Sequence, residues 1–228
     1  MKSLVTLVLF ALLLVSSTET AWAAGGIGMR WDRCYSDAGA CSKSFACDLN
    51  TGVHRLVVSF TPSFELTQVN GVEIAIDAQS TSAIIPSWWQ LRGGGHCRQG
   101  SLSANLDPEP NPSNCVDIWG SIATGGIAGY TLNYPSGTDR LRMLVFFGLP
   151  TGQTRTVSSG VEYVAANVLI TNIKTVGTGA CAGCQVPVCL LASQLVVRRP
   201  VGVGNVFLSE SFAPNSALAS WQIGRAHV

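Results

Sequence analysis

Two of the three histidines (His54 and His96), a C-x-x-C pair and a handful of close carboxylates are the residues whose types and spacing could do chemistry in this 228-residue chain. Cys181-Ala182-Gly183-Cys184, with Cys189 five residues on, has the knuckle spacing of a zinc ligand set. A fourth ligand would have to come from His54 or His96, both far away in sequence. The same C-x-x-C would suit thiol–disulfide exchange if it sat in a βαβ setting, and no such pattern occurs around it. Asp107 and Glu109 are close enough to be a glycosidase-like pair, but they stand in a Pro-rich loop where solvated carboxylates are the rule. Asp32, Asp37 and Asp48 lack the D-x-D-x-D order of a calcium loop and read as turn and cap residues. Gly93-Gly94-Gly95 beside His96 reads as a tight loop. No H-E-x-x-H helix, nucleophile elbow or phosphate loop is present. Neither a catalytic residue, a cofactor nor a resident metal is assigned.

The aromatic residues give the stronger binding signal. Trp88, Trp89, Trp119, Tyr130 and Tyr134 cluster in the middle third. If the Trp88-Trp89 segment is extended, the two rings face opposite sides, so one enters the core and the other meets solvent or a loop. An exposed indole on a β-sandwich can stack on a sugar ring, and this makes Trp88, Trp89 and Trp119 the candidate ligand-binding residues. Ordinary core packing is the competing use of such large rings.

The cysteines are governed by compartment. Lys2, the apolar run Leu4 to Val15 and Ala21-Trp22-Ala23 have the order of a secretory signal peptide cleaved after Ala23. The run is short for a bilayer span, so no membrane segment is expected once it is removed. The destination is then secreted, periplasmic or cell-surface, and Cys34, Cys41, Cys47, Cys97, Cys115, Cys181, Cys184 and Cys189 are disulfide candidates before they are ligands. Spacing alone does not choose among the pairings. Local loops favour Cys97 with Cys115, Cys34 with Cys47, and one bridge within Cys181, Cys184 and Cys189, the first two each worth about 3 kcal/mol by loop closure.

The elements that must position these residues are strands. Without Lys2, Glu19 and Arg225, 12 basic side chains face 12 acidic ones, so no basic patch points to nucleic acid. Sparse charge and 24 glycines between apolar runs favour a sandwich over a helical bundle. Arg55–Phe60, Val72–Asp77, Arg142–Phe147, Glu162–Lys174 and Val186–Val197 read as strands, with Ala83–Ile85 and Val206–Leu208 as shorter ones. In Val72–Asp77, Val72, Ile74 and Ile76 share one face and Glu73 and Asp77 the other. Ser211–Ser220 is polar and small-residue-rich, and no closing strand is expected before Trp221. The fold expected is all-β, a single antiparallel β-sandwich of Ig-like or jelly-roll-like kind with disulfide-stapled loops, spanning 24–221 after a signal peptide at 1–23.

Three stretches carry a resemblance: Ser44 to Gly52 (SFACDLNTG), Pro86 to Gln90 (PSWWQ) with Cys97-Arg98 behind it, and Thr175 to Cys184 (TVGTGACAGC). They resemble uncharacterised secreted bacterial β-sandwich proteins known from environmental genomes. The resemblance implies an exported single domain and no particular activity, and Cys41 is additional to the group's pattern. Separately, residues 222–228 (QIGRAHV) resemble the in-frame translation of a short-read sequencing adapter. That likeness implies a non-native tail and a natural protein continuing past Trp221. Together these features describe an exported, non-catalytic binding or structural module whose partner is an extracellular protein or glycan. The alternatives are a carbohydrate-binding module using exposed tryptophans and a secreted hydrolase.

Overall fold

A computed structural model describes residues 25–107 and 115–222. The signal segment, Glu109 and residues 223–228 lie outside the described residues. The described residues form thirteen strands: β1 (Gly26–Trp31), β2 (Ser42–Lys43), β3 (Val53–Thr61), β4 (Leu66–Val69), β5 (Gly71–Ser80), β6 (Leu102–Asn105), β7 (Thr124–Leu132), β8 (Arg140–Gly148), β9 (Arg155–Val157), β10 (Tyr163–Thr171), β11 (Val188–Arg198), β12 (Val206–Leu208) and β13 (Leu218–Trp221). One sheet has the order β1-β3-β10-β6. The larger has the order β2-β13-β11-β5-β8-β7, with β12 added to β11, and β4 pairs with β9 apart from both. All pairs are antiparallel except β2 with β13. Among the described residues no helix is long and apolar enough to cross a membrane.

Alternation builds the sandwich. Along β8, Leu141, Met143, Val145 and Phe147 are buried while Arg140, Arg142, Leu144 and Phe146 point outward. Along β5, Val72, Ile74, Ile76 and Ala78 are buried, and Glu73, Asp77 and Gln79 take the other face, as the V-E-I-A-I-D pattern requires. These inward rows meet Leu56, Val58 and Phe60 of β3 and Val168 and Ile170 of β10 in one continuous core. Each such side chain contributes about 1.5–3 kcal/mol when fully buried.

Strand β1 was not expected, because its glycines hide the alternation, and all six of its residues are buried. The reason is a crossing segment at the margin of the sandwich. The Ile27 amide donates to Glu210 O at 2.8 Å and the Met29 amide to Ser216 O at 2.6 Å. One residue on, Ala217 O accepts from Ala192 N of β11 at 3.0 Å, so consecutive carbonyls tie the two sheets. The Arg30 guanidinium completes the seam by donating to the carbonyls of Asn215, Ser216 and Leu218. The polar 211–220 segment therefore ends in a strand after all. Its small residues are what allow it to pass from one sheet to the other, and β13 then pairs with β11 from Val188 to Leu191. Gln222 follows, donating from its amide to Lys43 O at 2.8 Å.

Two further expectations are corrected. Ala83–Ile85 is a bend rather than a strand; Ile85 N donates to Thr138 O and turns the chain into Pro86. The disulfides are long-range: Cys34–Cys115, Cys47–Cys184 and Cys97–Cys181, with sequence separations of 81, 137 and 84. The pairings Cys97–Cys115 and Cys34–Cys47 do not occur, and Cys181 and Cys184 pair with different loops. The C-x-x-C is thus neither a zinc knuckle nor a redox pair but a point where two loops are stapled side by side. Gly183, between these cysteines, has φ +94°, and a Cβ there would lie 2.3 Å from the Pro86 Cβ. Only glycine allows that turn against the Pro86-Ser87-Trp88-Trp89 segment. Cys41 and Cys189 remain free and exposed.

Candidate functional site: a groove on the outer face of the larger sheet

The residues singled out for sugar stacking are in the core. Trp88, Trp89 and Trp119 are all fully buried. Ser87–Trp89 is a single 3₁₀ turn, so successive side chains rotate by about 120° instead of the 180° of a strand, and both indoles turn inward. Trp221 is their hub: its ring stacks on Trp88 at 5.0 Å and meets Trp89 at 5.9 Å, Trp31 at 5.8 Å and His54 at 4.7 Å. Indole N–H groups are paired by Trp88 to Thr175 Oγ1 (3.0 Å), Trp119 to Val164 O (2.7 Å) and Trp221 to Cys184 O (2.9 Å). Arg98, fully buried, lies over Trp88 and donates to Trp88 O at 2.8 Å, Ile173 O at 2.9 Å and Thr171 O. Burial lowers its guanidinium to about 10, still charged at neutral pH.

The remaining chemistry-bearing residues are also committed to structure. His54 bonds through Nε2 to Asn172 Oδ1 at 2.8 Å, and burial, aided by Lys43, pushes it down to about 4, so it is neutral. His96 sits against the Arg92 carbonyl and the Tyr130 ring. Asp107 accepts from Asn105 at 2.6 Å in the exposed stretch after β6. Asp32 pairs with Lys43 at 2.5 Å, Asp48 is exposed, and the three N-terminal aspartates do not converge. Among the described residues the one cluster with metal-ligand proximity is Cys34, Cys115 and Glu162. Its sulfurs are a disulfide, and the Glu162 carboxylate is filled by the Tyr35 and Ser36 amides (3.1 and 2.8 Å) and the Ser59 hydroxyl (2.5 Å).

What the structure does bring together lies on the opposite side of the larger sheet from the core. Register places Leu218, Leu191, Asp77 and Arg142 in one row across β13, β11, β5 and β8. The next row is Ser220, Cys189, Gln79 and Arg140. The turn that joins β7 to β8 folds Tyr134 and Pro135 over the end of these rows. The result is an open groove of about 440 Å³ lined by Asp77, Gln79, Tyr134, Arg140, Arg142, Cys189 and Leu191, among others. Such a volume is within the range of small-ligand sites.

Its electrostatics are set by one network. Arg142 Nε and Nη2 donate to the two oxygens of Asp77, each at 2.7 Å. Nη1 donates to the Tyr134 hydroxyl at 2.8 Å, and the guanidinium lies 4.1 Å from the Tyr134 ring centroid. Partial burial pushes the Asp77 carboxyl up, but hydrogen bonds from Arg142 and Ser193 and the Arg142 charge outweigh it and hold it below its ordinary value. Arg142 is raised for the reciprocal reason. Gln79 donates to Asp139 Oδ2 at 2.8 Å. Arg140 is different: its nearest acid, Asp139, is 3.9 Å away, and its guanidinium makes no hydrogen bond among the described residues. The Asp77 face of β5 is written in its alternation, whereas its link to Arg140, Arg142 and Tyr134 arises only when β5 pairs with β8. The R-x-R alternation that opens β8 was the available signal.

Comparison with protein-family models, curated proteins and solved structures finds no match to this chain.

Proposed function

We propose that this chain is an exported, non-catalytic binding module of the extracellular space or cell surface, and that its ligand lies in the groove across β13, β11, β5 and β8. The observation that carries this reading is the groove itself, where Asp77, Arg142 and Tyr134 hold one another rigid beside exposed apolar side chains. A pre-organised site of this kind loses little entropy on binding. Three disulfides support an oxidising compartment. Leu144, Phe146, Leu191 and Phe207 are 40–65% exposed on the outward side of this sheet or of its added strand, an apolar surface that fits contact with a partner.

A carbohydrate ligand is favoured over a protein strand by one feature. Backbone groups of the interior strands β11 and β5 are used in pairing on both sides, so recognition in the groove depends on side chains. Planar Arg, Asp and Gln groups beside a Tyr ring suit sugar hydroxyls and ring faces. In this reading Tyr134 takes the stacking role for which Trp88, Trp89 and Trp119 are too deeply buried.

The test uses Cys189 as a handle. In a Cys41→Ser protein, N-ethylmaleimide alkylates Cys189 after folding and plugs the groove with a neutral group. Retention on insoluble polysaccharides and bacterial cell-surface preparations is then compared before and after plugging. Loss of retention with unchanged thermal unfolding is expected; equal retention contradicts the groove as the binding surface.

A further inference from the structure

Resting on the groove as the binding surface, we infer that its ligand is an acidic polysaccharide whose uronate carboxylate is anchored by Arg140. The charges that line and border the groove are Asp77, Asp139, Arg140 and Arg142. Asp77 and Arg142 neutralise each other through two 2.7 Å bonds, and Arg142 spends a third donor on Tyr134. Asp139 gives one oxygen to Gln79 and stands 3.9 Å from Arg140, beyond hydrogen-bond reach. Arg140 therefore enters the groove with only this long ion pair from its Nε to Asp139, and the donors of its guanidinium fork make no hydrogen bond among the described residues. A planar fork with five donors matches a carboxylate in a bidentate pair and gives a weaker, less directional match to a neutral hydroxyl.

The neighbours define the rest of the ligand. Tyr134 and Pro135 form a wall, and Leu191 and Leu218 offer apolar surface along the adjoining row. Gln79 lies next to Arg140 in the same row, with amide chemistry suited to a vicinal hydroxyl. The rows run across four strands, a span of about 14 Å at the usual strand spacing. That is a path for a chain of rings, met by side chains alone.

The experiment is isothermal titration of the full-length chain with oligogalacturonate, its methyl ester and a dextran oligomer. The expected result is binding of the acid, with the ester and dextran at least about ten-fold weaker, the size of one charge-assisted hydrogen bond. Arg140→Gln lowers the affinity for the acid by about ten-fold and leaves that for the ester unchanged. Because the Arg140 side chain makes no hydrogen bond among the described residues and its 3.9 Å ion pair with Asp139 is solvent-screened, this variant keeps close to the wild-type unfolding transition. Equal affinity for acid and ester, an unchanged affinity in Arg140→Gln, or no binding of the acid overturns the inference. The maleimide-plugged protein separates the two failures. If plugging abolishes binding while ester and acid bind alike, the carboxylate anchor is wrong and the groove stands. If the acid binds the plugged protein as well as the open one, the groove is wrong.

Discussion

The Arg98 guanidinium carbon lies 3.6 Å from the centroid of the Trp88 ring, in the fully buried junction between the Gly-rich loop and the loop that carries Cys181. A cation here has no carboxylate among its hydrogen-bond partners; carbonyl oxygens of Trp88, Thr171 and Ile173 and the ring face replace water. Arg98 thus fastens the Trp88 turn to the end of β10, one residue beyond a disulfide that fastens Cys97 to Cys181. Arg98→Leu strands these carbonyls and is expected to cost about 3 kcal/mol or more in denaturant unfolding. Arg98→Lys recovers only part of the loss, because an ammonium donates from a single point and cannot serve both sides of the junction.

Peptide mapping of the unreduced protein is expected to find Cys34–Cys115, Cys47–Cys184 and Cys97–Cys181, and mass spectrometry after alkylation without reduction to find two labels, on Cys41 and Cys189. Bridges over such separations remove more unfolded-state entropy than short loops do. The double change Cys47→Ser with Cys184→Ser should cost about 5 kcal/mol in the chain-entropy model. A local bridge such as Cys181–Cys189 in the map would contradict the fold at its most constrained end.

His54 gives the stability curve an acid-side slope. Its ordinary value of 6.5 falls to about 4 in the folded chain, first by burial and second by Lys43. Above pH 6.5 the imidazole is neutral in both states and costs nothing. Between pH 6.5 and 4 the unfolded chain takes up the proton and the folded chain does not, so stability falls as pH falls. The loss approaches about 3 kcal/mol by pH 4. His54→Gln, which keeps a donor for Asn172 Oδ1, should flatten the curve over that window; an unchanged slope would contradict the neutral buried imidazole.

The fold was legible where alternation is local. In β5 and β8 the period of two is written in consecutive residues, and both inward rows follow from it. It was not legible in β1 and β7, where glycines stand at positions that would otherwise carry the pattern. The disulfides could not be read from spacing because the partners are brought together by the sheets, not by the loops between them. The opposite-face arrangement of Trp88 and Trp89 holds only for an extended segment; after Pro86 the chain forms a 3₁₀ turn instead, and both indoles enter the core. The groove needed register: Asp77 and Arg142 are 65 residues apart and become neighbours only when β5 pairs with β8.

The most direct test of the groove uses the two free thiols against each other. Cys189 lines the groove and Cys41 does not, so iodoacetamide alkylation of the native protein reports both positions in one sample. With the protein held on the polysaccharide that retains it, labelling of Cys189 is expected to slow by about ten-fold, corresponding to about 1.4 kcal/mol of occlusion, while Cys41 keeps its rate. Unchanged labelling of Cys189 on the bound protein, or slowing at Cys41 alone, would contradict the outer face of the larger sheet as the place where this protein meets its ligand.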